Sequence, residues 1–248
     1  MITRQKLEGT PMWNALQELN NVMEQENMPP VKLKVVGGFA LMLHEIRTPQ
    51  GQTDIDYVGT PLPQKFLNIS DQIGLKYNLG KKWINNDIML SGTTQEDLEF
   101  STGKLHFHKG PSLSKIDIEV LSQPDLLRMK IIAIDTACTA IETEGDFTRM
   151  KDLPDIQKLM TKMDYDFKDV RHEFADYIIS PHTINLLQAY ENEGEKGAQA
   201  YIDQMQETEK QKHKQTRMER TPYKTSSYIQ DLLNNLQKKY DEEKENEM

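Results

Sequence analysis

Hydrophobic and polar positions divide the chain into short segments of two periods. Across residues 11–27, Trp13, Leu16, Leu19 and Val22 or Met23 recur at helical spacing, which predicts an amphipathic helix stopped by Pro29 and Pro30. Residues 31–36 alternate and are β-branched, which predicts a strand. Gly37 and Gly38 end it, and residues 39–45 continue as an apolar run of helical type. Residues 53–58, Thr-Asp-Ile-Asp-Tyr-Val, read as a second strand. A helix over 64–73 carries Phe66, Leu67, Ile69 and Ile73 on its apolar side. Residues 104–108 and 115–121 read as paired strands around Gly110, Pro111 and Ser112. In the second of these, Ile116, Ile118 and Val120 face a core, while Lys115, Asp117 and Glu119 face the other way.

The second half reads as helical. Ser122 is placed to cap a helix with Pro124 in its first turn, apolar at Leu126, Leu127, Met129, Ile131, Ile132 and Ile134. Helices are predicted over 167–179, 182–190 and 197–206. Residues 207–220 are dense in charge, as a linker or a solvated helix would be. Ile229, Leu232, Leu233 and Leu236 form one stripe within 228–240, and the acidic tail 241–248 is expected to be disordered. The expected architecture is mixed α/β: a small mixed sheet flanked by helices over 1–162, then an α-helical extension over 163–240.

Candidate chemistry gathers in residues 31–58. Glycines between a strand and a helix let backbone N–H groups approach an anion, and a helix start favours phosphate. Asp54 and Asp56, at i and i+2 of a strand, share a face with Cα atoms about 7 Å apart, so they can share a hard cation such as magnesium. A phosphate cradle beside a metal-binding acid pair suits phosphoryl chemistry.

This order of strand, Gly-Gly, apolar helix and Thr-Asp-x-Asp resembles the first motif of the nucleotidyltransferase superfamily. The closer resemblance is to minimal bacterial nucleotidyltransferase-like proteins, including AbiEii-type toxins of toxin–antitoxin systems, over about residues 11–162. Trp83-Ile-Asn-Asn-Asp87 is similar to a Trp-Leu-Asn-Asp segment of those proteins; its own composition reads as an aromatic anchor and a cap at a loop-to-helix junction. The resemblance implies a third carboxylate on a neighbouring strand, which Asp117 matches best, with Glu119 in reserve. It also implies that Lys130, within Leu-Leu-x-Met-Lys-x-x-Ala, balances nucleotide phosphate. In the stretch from Arg149 to Ile156 it implies an active-site or orienting role for Asp152, with Asp155 as the second acid; the residues alone read Asp152 as a helix cap. Thr53 joins Gly37, Gly38 and Lys130 as nucleotide-binding. One position departs: the family often has an arginine soon after the Met-Lys-x-x-Ala segment, and here Asp135 stands there.

Composition narrows the picture. The 248 residues are 37% hydrophobic and 28% charged, with mean hydropathy -0.70, polar but long enough to bury a core. A net charge of -9 argues against a general nucleic-acid coat, though not against a local basic groove or a nucleotide arriving with its metal. Cys138 is the sole cysteine, so no intramolecular disulfide or cysteine zinc site forms. His106 and His108 share a strand face but lack a third metal ligand nearby. No membrane-length apolar run or signal-peptide core is present, which makes cytoplasmic the default expectation.

The expectation is therefore transfer of a nucleoside monophosphate from a nucleoside triphosphate to an acceptor, with magnesium or manganese at Asp54, Asp56 and Asp117. The acceptor stays open between tRNA, another protein and a small molecule. The C-terminal helices are the expected surface for an antitoxin or a second copy of the chain. The alternative is a binding or regulatory protein on a degenerate nucleotidyltransferase scaffold, which Asp135 and the acidic balance favour.

Overall fold

A five-stranded mixed sheet lies among six helices in the computed structural model, which describes residues 7–48, 54–87, 104–144, 147, 149–166, 169 and 179–219. In chain order the elements are α1 (Pro11–Gln25), β1 (Val31–Val35), α2 (Gly37–Leu43), β2 (Ile55–Val58), α3 (Gln64–Lys76), β3 (Ile84–Asn85), β4 (Phe107–Lys109) and β5 (Ile116–Leu121). Then come α4 (Gln123–Glu144), a 3-10 turn (Met150–Asp152), α5 (Leu153–Met163) and α6 (Pro181–Glu219). Among the described residues no helix is long and apolar enough to cross a membrane.

The sheet order is β3-β2-β1-β5-β4. Strand β1 is central, antiparallel to β2 and parallel to β5. Cross-strand partners share a face, so Val31, Leu33 and Val35 stand with Ile116, Ile118 and Val120, all buried. Lys32, Lys34, Asp117 and Glu119 take the other face, and the β1–β2 register adds Val58 and Asp56 to it. This second face carries the polar chemistry.

The helices begin where local chemistry allows. Thr10 accepts the Trp13 N–H at 3.2 Å and starts α1, whose Trp13, Leu16, Leu19 and Met23 are buried. Ser122 accepts the Asp125 N–H at 3.2 Å ahead of α4. The Ser122 hydroxyl donates to Asp125 Oδ2 at 2.6 Å, and Asp125 also takes the His106 N–H at 2.8 Å, tying α4 to the segment before β4.

Several boundaries differ from the sequence reading. Helix α2 includes both glycines rather than following them. Residues 84–85 form a short strand on β2, not a helix cap, because Ile55 N–H pairs with the Trp83 carbonyl at 2.5 Å. The strand read over 104–108 shortens and shifts to Phe107–Lys109. Residues 182–190 and 197–206 belong to one helical run, broken at Gly194, whose φ of 64° only glycine adopts readily. The run continues through 207–219, so that charged stretch is helical. Most of the helix read over 167–179, the stripe of 228–240 and the tail lie outside the described residues.

Asp135 has a structural explanation. It is buried, and its Oδ1 accepts the Ser180 N–H at 2.9 Å and the Thr183 hydroxyl at 2.6 Å. The acid therefore caps the start of α6 and pins that helix to α4. Leu186, Leu187, Ala198, Ile202 and Met205 of α6 join the same buried core as the sheet.

Candidate active site

The site begins at Gly37. Its φ is +61°, and a side chain there would meet Asp56 Oδ2 at 2.5 Å. The positive φ favours glycine, and the Asp56 carboxylate lies against its Cα. Val36 N–H donates to the Asp56 carbonyl at 2.9 Å, which holds β2 level with this turn. The pairing of Asp56 with Asn85 places the two on the same face of adjacent strands, where the Asn85 amide favours the charged Asp56 carboxylate. Asn85 Oδ1 in turn accepts the Asp87 N–H at 3.0 Å. Trp83 anchors this segment: it is buried, and its indole N–H donates to the Ser70 carbonyl at 2.6 Å.

Electrostatics identify what surrounds Asp56. Burial pushes its carboxyl above the usual carboxylate range, and the charges of Asp54 and Asp87 push the same way. The Asn85 hydrogen bond and the charge of Lys130 oppose the rise. A carboxylate crowded by two others in a partly desolvated place favours a cation beside it.

Lys130, from α4, belongs to a network of five charges with Asp152, Asp155, Arg47 and Arg149. It pairs with Asp152 Oδ1, and with Asp155 Oδ2 at 3.1 Å. Arg47 grips Asp155 with both arms of its fork, Nε to Oδ1 at 2.8 Å and Nη2 to Oδ2 at 2.5 Å. Both acids are buried, at 1% and 3% exposure, so each needs its cation. Asp155 holds Arg47 firmly protonated, with smaller contributions from Asp152 and Asp54. The network therefore borders the β2 acids. Asp152 precedes α5, but its side chain makes no cap hydrogen bond and turns to Lys130 instead.

Asp56 thus lies against Gly37 and within the field of Asp54, Asp87 and Lys130, Asp152 enters through its pair with Lys130, and Gly38 stands in the same first turn of α2. Asp117 does not join them. It pairs in register with Lys32 at the start of β1, whereas Asp56 lies level with Val36 beyond its end. Four strand positions and two strand spacings separate them, roughly 13 Å along the sheet and 10 Å across it. Asp117 accepts the Ser112 hydroxyl at 2.7 Å, and the reserve acid Glu119 pairs with Lys32 at 2.7 Å. Among the described residues no group of three or more His, Cys, Asp and Glu side chains is placed to hold a metal ion. The expected triad is corrected to a pair, because parallel pairing carries Asp117 to the far end of the shared face. Thr53 lies outside the described residues.

Arg47, Asn85 and Asp87 were not singled out as site residues from sequence, and Asp155 only as a secondary acid. The alternation of Asn85 and Asp87 after a buried-type tryptophan was a usable signal for a strand face. Arg47 had none, since its partner is 108 positions away.

No family model, curated protein or solved structure matches this chain.

Proposed function

We propose that the chain is a magnesium-dependent nucleotidyltransferase. It transfers a nucleoside monophosphate from a nucleoside triphosphate to an acceptor hydroxyl and releases pyrophosphate. The observation that carries this reading is the contact of the Asp56 carboxylate with Gly37, beside Asp54 and Lys130. It joins the acid pair to the glycine turn in space as well as in sequence.

The residues fit magnesium. That ion usually takes one or two carboxylates and completes its shell with water and phosphate oxygens, so a third acid is not needed. Asp54 and Asp56 would hold it, and the rise at Asp56 marks a place where positive charge is favourable. When bound, the ion would neutralise phosphate charge and polarise the reacting phosphoryl group. The chain's own residues do the rest. Gly37 leaves room for the Asp56 carboxylate against the backbone, and Gly38 follows it in the same turn. Asn85 favours the charged form of Asp56, and Lys130 supplies positive charge near the phosphates. In the transfer, the acceptor oxygen bonds to the α-phosphorus, the bond to the pyrophosphate oxygen breaks, and the hydroxyl proton leaves to a base. With Asp117 remote, Asp87 is the further acid whose charge reaches Asp56, and Asp152 acts through its pair with Lys130.

One observation favours the second reading, a nucleotide-binding or regulatory protein without transfer activity: Asp117 is engaged with Ser112 far from the pair. Toxin–antitoxin membership, the choice of acceptor and a cytoplasmic setting belong to the same proposal and rest on the motif resemblance alone.

The two readings share a first test. Magnesium with a nucleoside triphosphate should raise the melting temperature of the wild type by mass action. Asp54→Ala combined with Asp56→Ala should abolish the rise. An equal rise in both proteins would place binding elsewhere and end the proposal. Incubation with each labelled nucleoside triphosphate and cell extract then separates the readings: transfer of label to a macromolecule or metabolite supports the enzyme, and binding without transfer supports the rival.

A further inference from the structure

The cation expected to meet phosphate is already engaged. Lys130 lies between two buried carboxylates, Asp152 and Asp155, with its own side chain 14% exposed. For it to serve a ligand, those carboxylates must be left behind, and a buried carboxylate without a cation is costly. Each has an arginine at hand. Asp155 is held on both oxygens by Arg47 and keeps that pair when Lys130 departs. Asp152 is different. Its Oδ1 takes Lys130, whereas its Oδ2 is buried with no hydrogen-bond partner among the described residues. Arg149 stands 3.6 Å from that oxygen, too far for a hydrogen bond, with its side chain 46% exposed. A buried oxygen left without a partner requires an explanation, and an arginine just short of it supplies one.

We propose that Lys130 is an exchangeable cation: a polyphosphate ligand draws it off Asp152 and Asp155, and Arg149 closes on Asp152 while Arg47 keeps Asp155. The inference rests on the proposed nucleotide site and deepens it by assigning two positioning residues. Arginine suits both places. It stays charged in any surroundings, and its planar fork can hold a carboxylate on two oxygens, which a lysine cannot do. Asp152 and Asp155 hold the ammonium where its charge reaches Asp56.

The test is calorimetric binding of tripolyphosphate with magnesium to the full chain, which needs no knowledge of the base or acceptor. Wild type, Arg149→Gln, Asp152→Asn and the Arg149→Gln/Asp152→Asn double variant are compared, with Lys130→Met as a further background if it folds. Arg149→Gln is expected to weaken binding about tenfold. Its melting temperature without ligand should not change, because a half-exposed arginine 3.6 Å from its partner contributes little to the resting fold. In the Asp152→Asn background the same substitution should have no further effect, since the carboxylate that needed Arg149 is gone. Wild-type affinity in Arg149→Gln overturns the exchange. So does an undiminished effect of Arg149→Gln in the Asp152→Asn or Lys130→Met background, which would mean that Arg149 touches the ligand directly. If wild type binds neither magnesium tripolyphosphate nor any magnesium–nucleoside triphosphate, the nucleotide site itself is wrong and the exchange falls with it.

Discussion

Burial and the neighbouring charges of Asp54 and Asp87 leave the Asp56 carboxyl holding its proton more tightly in the folded chain than in the unfolded one, where 3.8 is the ordinary value. Between the ordinary value and the raised one, the folded state binds more protons, so stability from this group is present at low pH and is lost as pH rises through the raised value. Asp56→Asn should therefore make the metal-free protein more stable at neutral pH, and the advantage should fade as pH falls into the ordinary carboxylate range. Thermal melts over a pH series check this. Wild type more stable than Asp56→Asn at neutral pH without metal would mean that Asp56 is stabilised by a partner, not crowded by acids. On the proposed reading, the stability given up at Asp56 would be recovered when a cation binds.

At the scale of elements, the contact between α4 and α6 turns on one acid. Asp135 receives a backbone N–H and a hydroxyl from the first turn of α6. Removing a charged acceptor from such a buried place costs about 1.5–3 kcal/mol. Cys138 lies one turn further along α4, and burial pushes its thiol up to about 11, opposed by a hydrogen bond with Thr183. Asp135→Ala should lower stability in denaturant by that amount and speed alkylation of Cys138 under native conditions. Unchanged alkylation together with unchanged stability would show that apolar packing alone docks α6. Strand β3 makes a similar point with two residues. Its pairing with β2 is short, yet it delivers Asn85 to Asp56, and the buried Trp83 fixes where it lands.

For the whole molecule, α6 is continuous with the core rather than an appendage. Leu186, Leu187, Ala198 and Ile202 are at most 4% exposed. Full burial of a leucine or isoleucine contributes about 1.5–3 kcal/mol, and a domain's margin is about 5–15 kcal/mol. A chain ending after Glu207 keeps all of these and should fold and bind magnesium–nucleotide. A chain ending before Pro181 loses them, uncovers α4 and should lose cooperative unfolding or aggregate. Circular dichroism melts and size-exclusion profiles distinguish the two. A well-folded protein ending before Pro181 would restore the picture of a separate helical extension.

The sequence by itself determined what short-range periodicity and steric chemistry can encode. Alternation in residues 31–36 and 116–121, helical spacing from Trp13 to Met23, and capping at Ser122 depend on neighbours within a few positions, so they were legible. So was the approach of Asp56 to Gly37, because the two meet across one short connection. Tertiary structure decided what depends on register and on distant partners. Asp117 has the residue type, strand and face expected of a third acid, yet parallel pairing of β5 with β1 carries it to the far end. Asp135 looked like a missing phosphate contact and proves to be a helix clamp, because Ser180 and Thr183 arrive from 45 and 48 positions away. The Arg47–Asp155 pair spans 108 positions. No local pattern carries such a pairing, because only the packing of α2, α4 and α5 around the sheet brings the two charges together and makes the burial of one depend on the other.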